Sequence, residues 1–112
     1  METVLIVEDE VTTRDALIEL LGKEGREIVT AADGQEAMNC LTMVPRPRVI
    51  LLDLMMPRMD GWEFLRRQSV DPSIARIPTI VLSGSKLSAG AGHQLTKPVD
   101  VDRLRALVDQ YC

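Results

Sequence analysis

The 112 residues are 46% apolar and 27% charged, a composition that is ordinary for one globular domain covering residues 1–112. The net charge of −4 argues against nucleic acid as a direct partner. No apolar run is long enough to span a membrane and no leader-like segment opens the chain, so we expect a cytoplasmic protein with no membrane contact.

The first half of the chain alternates between strand-like and helix-like patterns. An apolar run at 3–7 predicts the first strand, and residues 11–24 have the spacing of a helix whose buried face includes Ala16. Residues 26–31 predict a shorter, more polar strand, as is expected near a sheet edge. After a second helix that begins at Asp33, the continuous apolar run 49–52 is typical of a strand buried on both faces.

The second half repeats the alternation. Asp60 is positioned to cap a third helix over 62–70, and residues 79–82 predict a fourth strand. A brief fifth strand is expected at 93–96. Asp100 then caps a last helix, on which Val101, together with Leu104, Leu107 and Val108, is predicted to face the core.

This alternation predicts an α/β fold of the flavodoxin-like type. Strands that alternate with helices form a parallel sheet with right-handed crossovers. We expect five strands in the order 2-1-3-4-5 with helices on both faces.

Polar side chains follow the predicted strands at the points where the strands end. Glu8 and Asp9 follow the first strand, Asp53 ends the third, Ser83 ends the fourth and Lys97 follows the fifth. Because the carboxyl ends of parallel strands share one edge, these side chains are expected around the crevice where open α/β sheets bind ligands.

Three carboxylates in one crevice repel one another unless a cation lies between them. A hard divalent ion with oxygen ligands fits best, and Mg²⁺ is the most available. Lys97 supplies a positive charge, Ser83 a hydroxyl donor, and the amide of Gly84 an approach unhindered by a Cβ atom. Together these groups are suited to neutralise a phosphoryl group while an aspartate attacks it.

Four segments carry a resemblance to a known family. They are LIVEDE, VILLDLMMPRMDG, VLSG and LTKP, in this order along nearly the whole chain. In these segments the chain resembles the response-regulator receiver (CheY-like) domain of bacterial two-component signalling.

The resemblance implies roles for the acidic residues. Asp53 would accept the phosphoryl group of a sensor histidine kinase or a histidine phosphotransfer protein. Asp9, Asp53 and the backbone carbonyl of Met55 would bind Mg²⁺ directly, and Glu8 would act mainly through water.

The resemblance also assigns the groups that face the phosphoryl oxygens. Ser83 matches the family's hydroxyl residue, and Lys97 matches its phosphate-pairing lysine. The peptide bond between Lys97 and Pro98 would be cis.

Two departures from the family pattern affect signal output. Ser83 and Lys97 are only fourteen positions apart, and residues 85–92 supply eight residues where a parallel crossover normally needs at least about ten to twelve. The helix between the fourth and fifth strands is therefore expected to be absent or reduced to about one turn. Gln94 stands where the family has an aromatic switch residue. We hypothesise that phosphorylation does not reach the usual output face, which the family forms from that helix, the fifth strand and the last helix.

Three functions compete at this level. The first is a stand-alone phospho-acceptor that signals by docking or phosphorelay and catalyses at most its own phosphorylation and dephosphorylation. The second is an adaptor or homodimerisation module, independent of phosphate, that uses the face exposed by the missing helix. The third is a Mg²⁺-dependent phosphatase, but that class carries its nucleophile in a DxD arrangement, and here the sequence is Glu8-Asp9-Glu10.

Overall fold

The computed structural model describes residues 2–22, 25–42, 46–84 and 93–112. Within these ranges the structure has the five predicted strands and four helices. In chain order they are β1 (Thr3–Val7), α1 (Val11–Leu21), β2 (Glu27–Ala31), α2 (Gly34–Cys40), β3 (Val49–Asp53), α3 (Gly61–Ser69), β4 (Thr79–Ser83), β5 (His93–Thr96) and α4 (Val101–Tyr111). Residues 85–92, where we predict at most one helical turn and a dimer face, lie outside the described residues.

The strands form one parallel sheet in the order β2-β1-β3-β4-β5, which confirms the predicted flavodoxin-like topology. Val7 of β1 pairs with Leu52 of β3, and Asp53 pairs with Leu82 of β4. Ser83 in turn pairs with Thr96 of β5. The register therefore brings the ends of the four strands β1, β3, β4 and β5 to the same edge of the sheet.

The central strands β1, β3 and β4 are buried at every position, because helices cover both faces of the sheet. One face packs against α2 and α3, with Phe64 in its core. The other packs against α1 and α4, with Leu17 and Leu104 in its core. Successive strand residues point to opposite faces, so both cores draw on the same strands.

Aspartates cap three of the four helices among the described residues. The carboxylates of Asp33, Asp60 and Asp100 accept hydrogen bonds from backbone amides in the first turns of α2, α3 and α4. The helix α1 follows Glu10, whose side chain makes no capping hydrogen bond. The start of α1 therefore lacks the side-chain cap that the other three described helices have.

Two details of the helices differ from the sequence prediction. The helix α1 ends at Leu21 with Gly22 as its C-cap, not near residue 24, because glycine is a poor helix former. Ala16 of α1 and Val101 of α4 are exposed, so placing them in the core was wrong. Both have the helical spacing of core residues, but they line an open groove between α1 and α4. No helix in the described ranges is long and apolar enough to span a bilayer.

Candidate functional site

Three carboxylates meet at the carboxyl edge of the sheet, where the sequence places them. Glu8 follows β1 and is only 2% exposed, and Asp53 ends β3 and is 5% exposed. Asp9 is exposed beside them. One oxygen atom from each of the three lies within 4.8 Å of the others. The chemistry and spacing of this donor set fit a hard divalent cation such as Mg²⁺.

Lys97 reaches the two buried carboxylates from the end of β5. Its Nζ atom lies 3.5 Å from Oε1 of Glu8 and 3.4 Å from Oδ1 of Asp53. Buried carboxylates are strongly unfavourable unless a positive charge compensates them. The single ammonium group is therefore shared between two acids, and the cluster keeps a negative charge.

The ionisation of the cluster reflects this shortage of positive charge. Burial and the neighbouring carboxylate of Asp53 raise the pKa of Glu8 to about 7, although Lys97 opposes the rise. Burial disfavours the charge of Lys97, but the carboxylates of Glu8 and Asp53 outweigh it and raise the pKa of the ammonium above its ordinary value. A bound divalent cation would oppose the protonation of Glu8, because it would add positive charge beside the two buried carboxylates.

Backbone contacts fix Glu8 in its buried position. The Glu8 amide donates to the carbonyl of Ala31 at 3.0 Å, so the pairing of β1 with β2 continues one residue beyond the strand. Nη1 of Arg14 donates to the Glu8 carbonyl at 3.3 Å, and the Glu10 amide donates to its Oε2 at 3.3 Å. Since these contacts hold the main chain on both sides, the carboxylate stays directed into the site.

The segment after Asp53 is packed tightly against the start of α3. The Met55 amide donates to Oδ1 of Asp53 at 3.3 Å, and the Gly61 amide donates to the Leu54 carbonyl at 3.0 Å. A Cβ atom at Gly61 would lie 2.6 Å from Cα of Leu54 and 2.8 Å from the Asp53 carbonyl oxygen. Only glycine allows α3 to approach the end of β3 this closely. The exposed Met55 lies on this loop.

The remaining predicted site residues lie along β4 and β5. Ser83 is buried at the end of β4, and its carbonyl accepts a 2.7 Å hydrogen bond from the Lys97 amide. Gly84 is exposed, and a Cβ atom there would have no neighbour within 4 Å in the part of the chain that the structure describes. The peptide bond between Lys97 and Pro98 is cis. Gln94 is half-buried in β5 opposite Val81, away from the acidic cluster.

An apolar groove between α1 and α4 begins beside the acidic cluster. It encloses about 500 Å³, and Lys97 lies in its wall. Ala16 and Leu20 line it from α1, and Val101 and Leu104 line it from α4. Ala16 and Val101, which the sequence periodicity assigns to the core, thus line this groove next to Lys97.

A further contact near the site involves Asp33, to which sequence analysis assigns only the start of α2. Its Oδ2 atom accepts a hydrogen bond from Nε of Arg58 at 2.6 Å, across 25 positions of the chain. The PRMDG segment that contains Arg58 signals a turn, but nothing in its pattern identifies the partner.

Known proteins similar to this chain share its topology over nearly its full length. Residues 4–109 match the family model of the response regulator receiver domain. The chain is 34% identical over 116 residues to sporulation initiation phosphotransferase F of Bacillus subtilis, covering 98% of this chain and 93% of that protein. A solved receiver domain of a signal transduction histidine kinase from Syntrophus aciditrophicus is 30% identical, with a TM-score of 0.89 and coverage of 99% and 89%. The Mn²⁺-bound form of response regulator Rcp1 is 29% identical, with a TM-score of 0.80 and coverage of 98% and 91%.

Proposed function

This chain belongs to the response regulator receiver domain family of two-component signalling, and from that premise we propose that Asp53 accepts a phosphoryl group from a phosphohistidine. The donor would be a sensor histidine kinase or a histidine phosphotransfer protein. The observation that carries the proposal is the position of Asp53, a buried carboxylate that ends a central strand 3.4 Å from the ammonium of Lys97. Because ATP, the source of a kinase's phosphoryl group, is a cytoplasmic metabolite, we place this exchange in the cytoplasm.

The reaction needs only one nucleophile and compensation of charge. An Asp53 oxygen attacks phosphorus, the phosphorus–nitrogen bond of the phosphohistidine breaks, and the imidazole leaves with the bonding electron pair. The product is an acyl phosphate on Asp53. Lys97 offsets the repulsion between the incoming phosphoryl oxygens and the buried carboxylates, since its ammonium already lies between Glu8 and Asp53.

A divalent cation fits the three carboxylates and would be held by Glu8, Asp9, Asp53 and the carbonyl of Met55. When bound, it would supply a Lewis acid that neutralises phosphoryl charge. The Mn²⁺-bound relative described above supports this assignment. The identity of the natural ion as Mg²⁺ rests on the oxygen-only donor set.

Ser83 and Gly84 are proposed to complete the phosphoryl site. The carbonyl of Ser83 accepts a hydrogen bond from the Lys97 amide at 2.7 Å, so this backbone contact holds the two residues side by side. We assign the Ser83 hydroxyl as a donor to one phosphoryl oxygen and the exposed backbone at Gly84 as a second donor.

The groove between α1 and α4 supports docking of a helical, histidine-bearing partner. Its apolar lining suits the apolar face of a helix, and Lys97 joins the groove to the acidic cluster. A helix that lies along it would bring its own side chains to Asp53. The phosphotransferase name of the Bacillus subtilis relative agrees with a protein that exchanges phosphoryl groups with a partner.

Phosphorylation by acetyl phosphate tests the proposal directly. Incubation with acetyl phosphate and Mg²⁺ is expected to add the mass of one phosphoryl group, and EDTA is expected to prevent the gain. Asp53→Asn should abolish it. Asp60→Asn is the matched control, because asparagine still caps α3 and the variant should be phosphorylated like the wild type. An Asp53→Asn protein that still gains the mass would show that another residue accepts the phosphoryl group. A wild type that gains none from acetyl phosphate or from a phosphohistidine donor would favour the adaptor function instead.

A further inference from the structure

Asp33 is a buried carboxylate that lies outside the acidic cluster and uses both of its oxygens. It is 2% exposed, and its Oδ1 accepts a 2.8 Å hydrogen bond from the Glu36 amide at the start of α2. Its Oδ2 accepts from Nε of Arg58 at 2.6 Å. The hydrogen bond from the Glu36 amide lowers the pKa of Asp33, and burial opposes this effect. The guanidinium of Arg58 lowers the pKa further. Asp33 is therefore an anion that anchors Arg58.

Arg58 has a backbone conformation that an arginine adopts only under constraint. Its φ angle is +61°, in the left-handed region that favours glycine. Such a conformation persists only where neighbouring contacts hold it. The ion pair with Asp33 is one such contact, and it acts on the loop 54–60 that leads from β3 to α3.

A second anchor lies next to the ion pair. The amide of Gly34 donates to the Met59 carbonyl at 2.9 Å. A Cβ atom at Gly34 would lie 2.7 Å from that carbonyl oxygen and 2.8 Å from Cγ of Met59, so only glycine permits this approach. The loop 54–60 is thus held against the start of α2 at two adjacent residues, Arg58 and Met59.

We propose that the ion pair between Arg58 and Asp33 positions the loop 54–60 for cation binding, so that both are positioning residues for the site at Asp53. The loop carries Met55, whose amide donates to Oδ1 of Asp53 at 3.3 Å and whose carbonyl we assign to the cation. A loop released from α2 would therefore disturb two groups of the site at once. This inference rests on the proposed function and adds a regulation of its cation affinity by residues that touch neither cation nor phosphate.

The rival explanation is that the ion pair only stabilises the fold. Asp33 is buried although the Arg58 side chain is 73% exposed, so a purely stabilising ion pair would lower the free energy of unfolding when it is broken and leave the cation affinity unchanged. A positioning role and a purely stabilising role therefore predict different results for the same substitution.

Arg58→Gly separates these roles. It removes the guanidinium and relieves the left-handed backbone at the same position, so the two effects on stability oppose each other. We expect Mg²⁺ to bind about tenfold more weakly, as is typical when a partner outside the ligand shell is lost. Titration with Mg²⁺, followed by the fluorescence of Trp62, the only tryptophan, at the start of α3, measures the affinity, and urea denaturation measures the stability.

Asp33→Asn removes the ion pair without removing the cap. Its one carbonyl oxygen still serves the Glu36 amide, but its amino group then faces the Arg58 guanidinium, donor against donor. We expect the same loss of Mg²⁺ affinity as for Arg58→Gly, and no further loss in the double variant, because both changes break one interaction. Arg66→Gln, which breaks an exposed ion pair with Glu63 on α3, is the matched control and should leave the affinity unchanged.

Hydrogen exchange of the Met55 amide in metal-free protein gives a readout that does not depend on cation binding. Faster exchange in Arg58→Gly is expected, since the loop is freed. Wild-type protein that neither binds Mg²⁺ nor takes up phosphate would overturn the proposed function, and the exchange rate would then still decide whether the ion pair holds the loop. Normal wild-type behaviour, with unchanged affinity and exchange in Arg58→Gly, would overturn the positioning role alone.

Discussion

After β3 the chain is tied down along the loop 54–60, whereas after β1 it passes directly into α1 without a side-chain cap. The loop is held by the contacts of Gly61 with Leu54 and of Gly34 with Met59, and by the ion pair from Arg58. At the other junction, Glu8 is buried and held by backbone contacts. Its neighbour Asp9 is exposed, with no hydrogen bond or ion pair to any residue that the structure describes.

The two junctions therefore differ in how firmly they hold their carboxylates. We call the junction after β3 the locked side of the cluster and the junction after β1 its adaptable side. The proposed nucleophile Asp53 lies on the locked side, where a small displacement would misalign the attack on phosphorus. Asp9 lies on the adaptable side, where an exposed carboxylate can adjust to an incoming cation at little energetic cost. The comparison yields three predictions beyond the experiments described above.

The largest expected effect comes from breaking the locked side with Gly61→Ala. The added Cβ would press on the backbone of Asp53 and Leu54 at 2.6–2.8 Å, and backbone atoms cannot move aside as a flexible side chain can. We expect the free energy of unfolding to fall by about 3 kcal/mol, measured by urea denaturation. Gly84→Ala is the matched control, since a Cβ there meets no atom of the described residues within 4 Å. Equal stability of the two variants would show that the junction is not tightly packed.

The second prediction contrasts the buried and exposed acids of the β1 junction. The pKa of Glu8 in the folded protein, about 7, is above its unfolded value of 4.5, so the folded state binds more protons between these values. Stability of the metal-free protein should therefore fall as the pH rises through this window, by on the order of 2 kcal/mol. Glu8→Gln should flatten this slope in urea denaturation with EDTA present. Asp9→Asn, which removes the exposed carboxylate of the same junction, is the matched control. If Glu8→Gln left the pH dependence of the free energy of unfolding unchanged, the raised pKa of Glu8 would not be its source.

The smallest effect is expected at β5 and α4, beyond the acidic cluster. Because we predict that Gln94 stands at the aromatic switch position of the family, we expect the phosphoryl mimic beryllofluoride to shift mainly the amide resonances of residues near Asp53 and Ser83. Gln94 and α4 should shift little. Large shifts throughout α4 in a two-dimensional NMR titration would show that the signal does reach this face.

Much of the fold followed from local patterns in the sequence. Continuous apolar runs identified the buried strands, because a strand covered on both faces needs apolar residues at successive positions. The alternation of strands and helices then indicated the topology. The acidic residues and Lys97 come at the carboxyl ends of strands, and these ends share one edge in a parallel sheet. The convergence of Glu8, Asp53 and Lys97 was therefore predictable from the sequence.

What only the tertiary structure decided is which groups are buried, and which distant residues meet. Glu8 and Asp9 are adjacent and chemically similar, yet the carboxylate of Glu8 is buried beside Lys97 and Asp9 is exposed. Ala16 has core spacing but lines a groove, because periodicity states which way a side chain points and not what lies opposite it. The pairing of Asp33 with Arg58 joins positions 25 apart and depends on how α2 packs beside the loop after β3. Sequence patterns encode local geometry, whereas burial and long-range pairing arise from the packing of elements against one another.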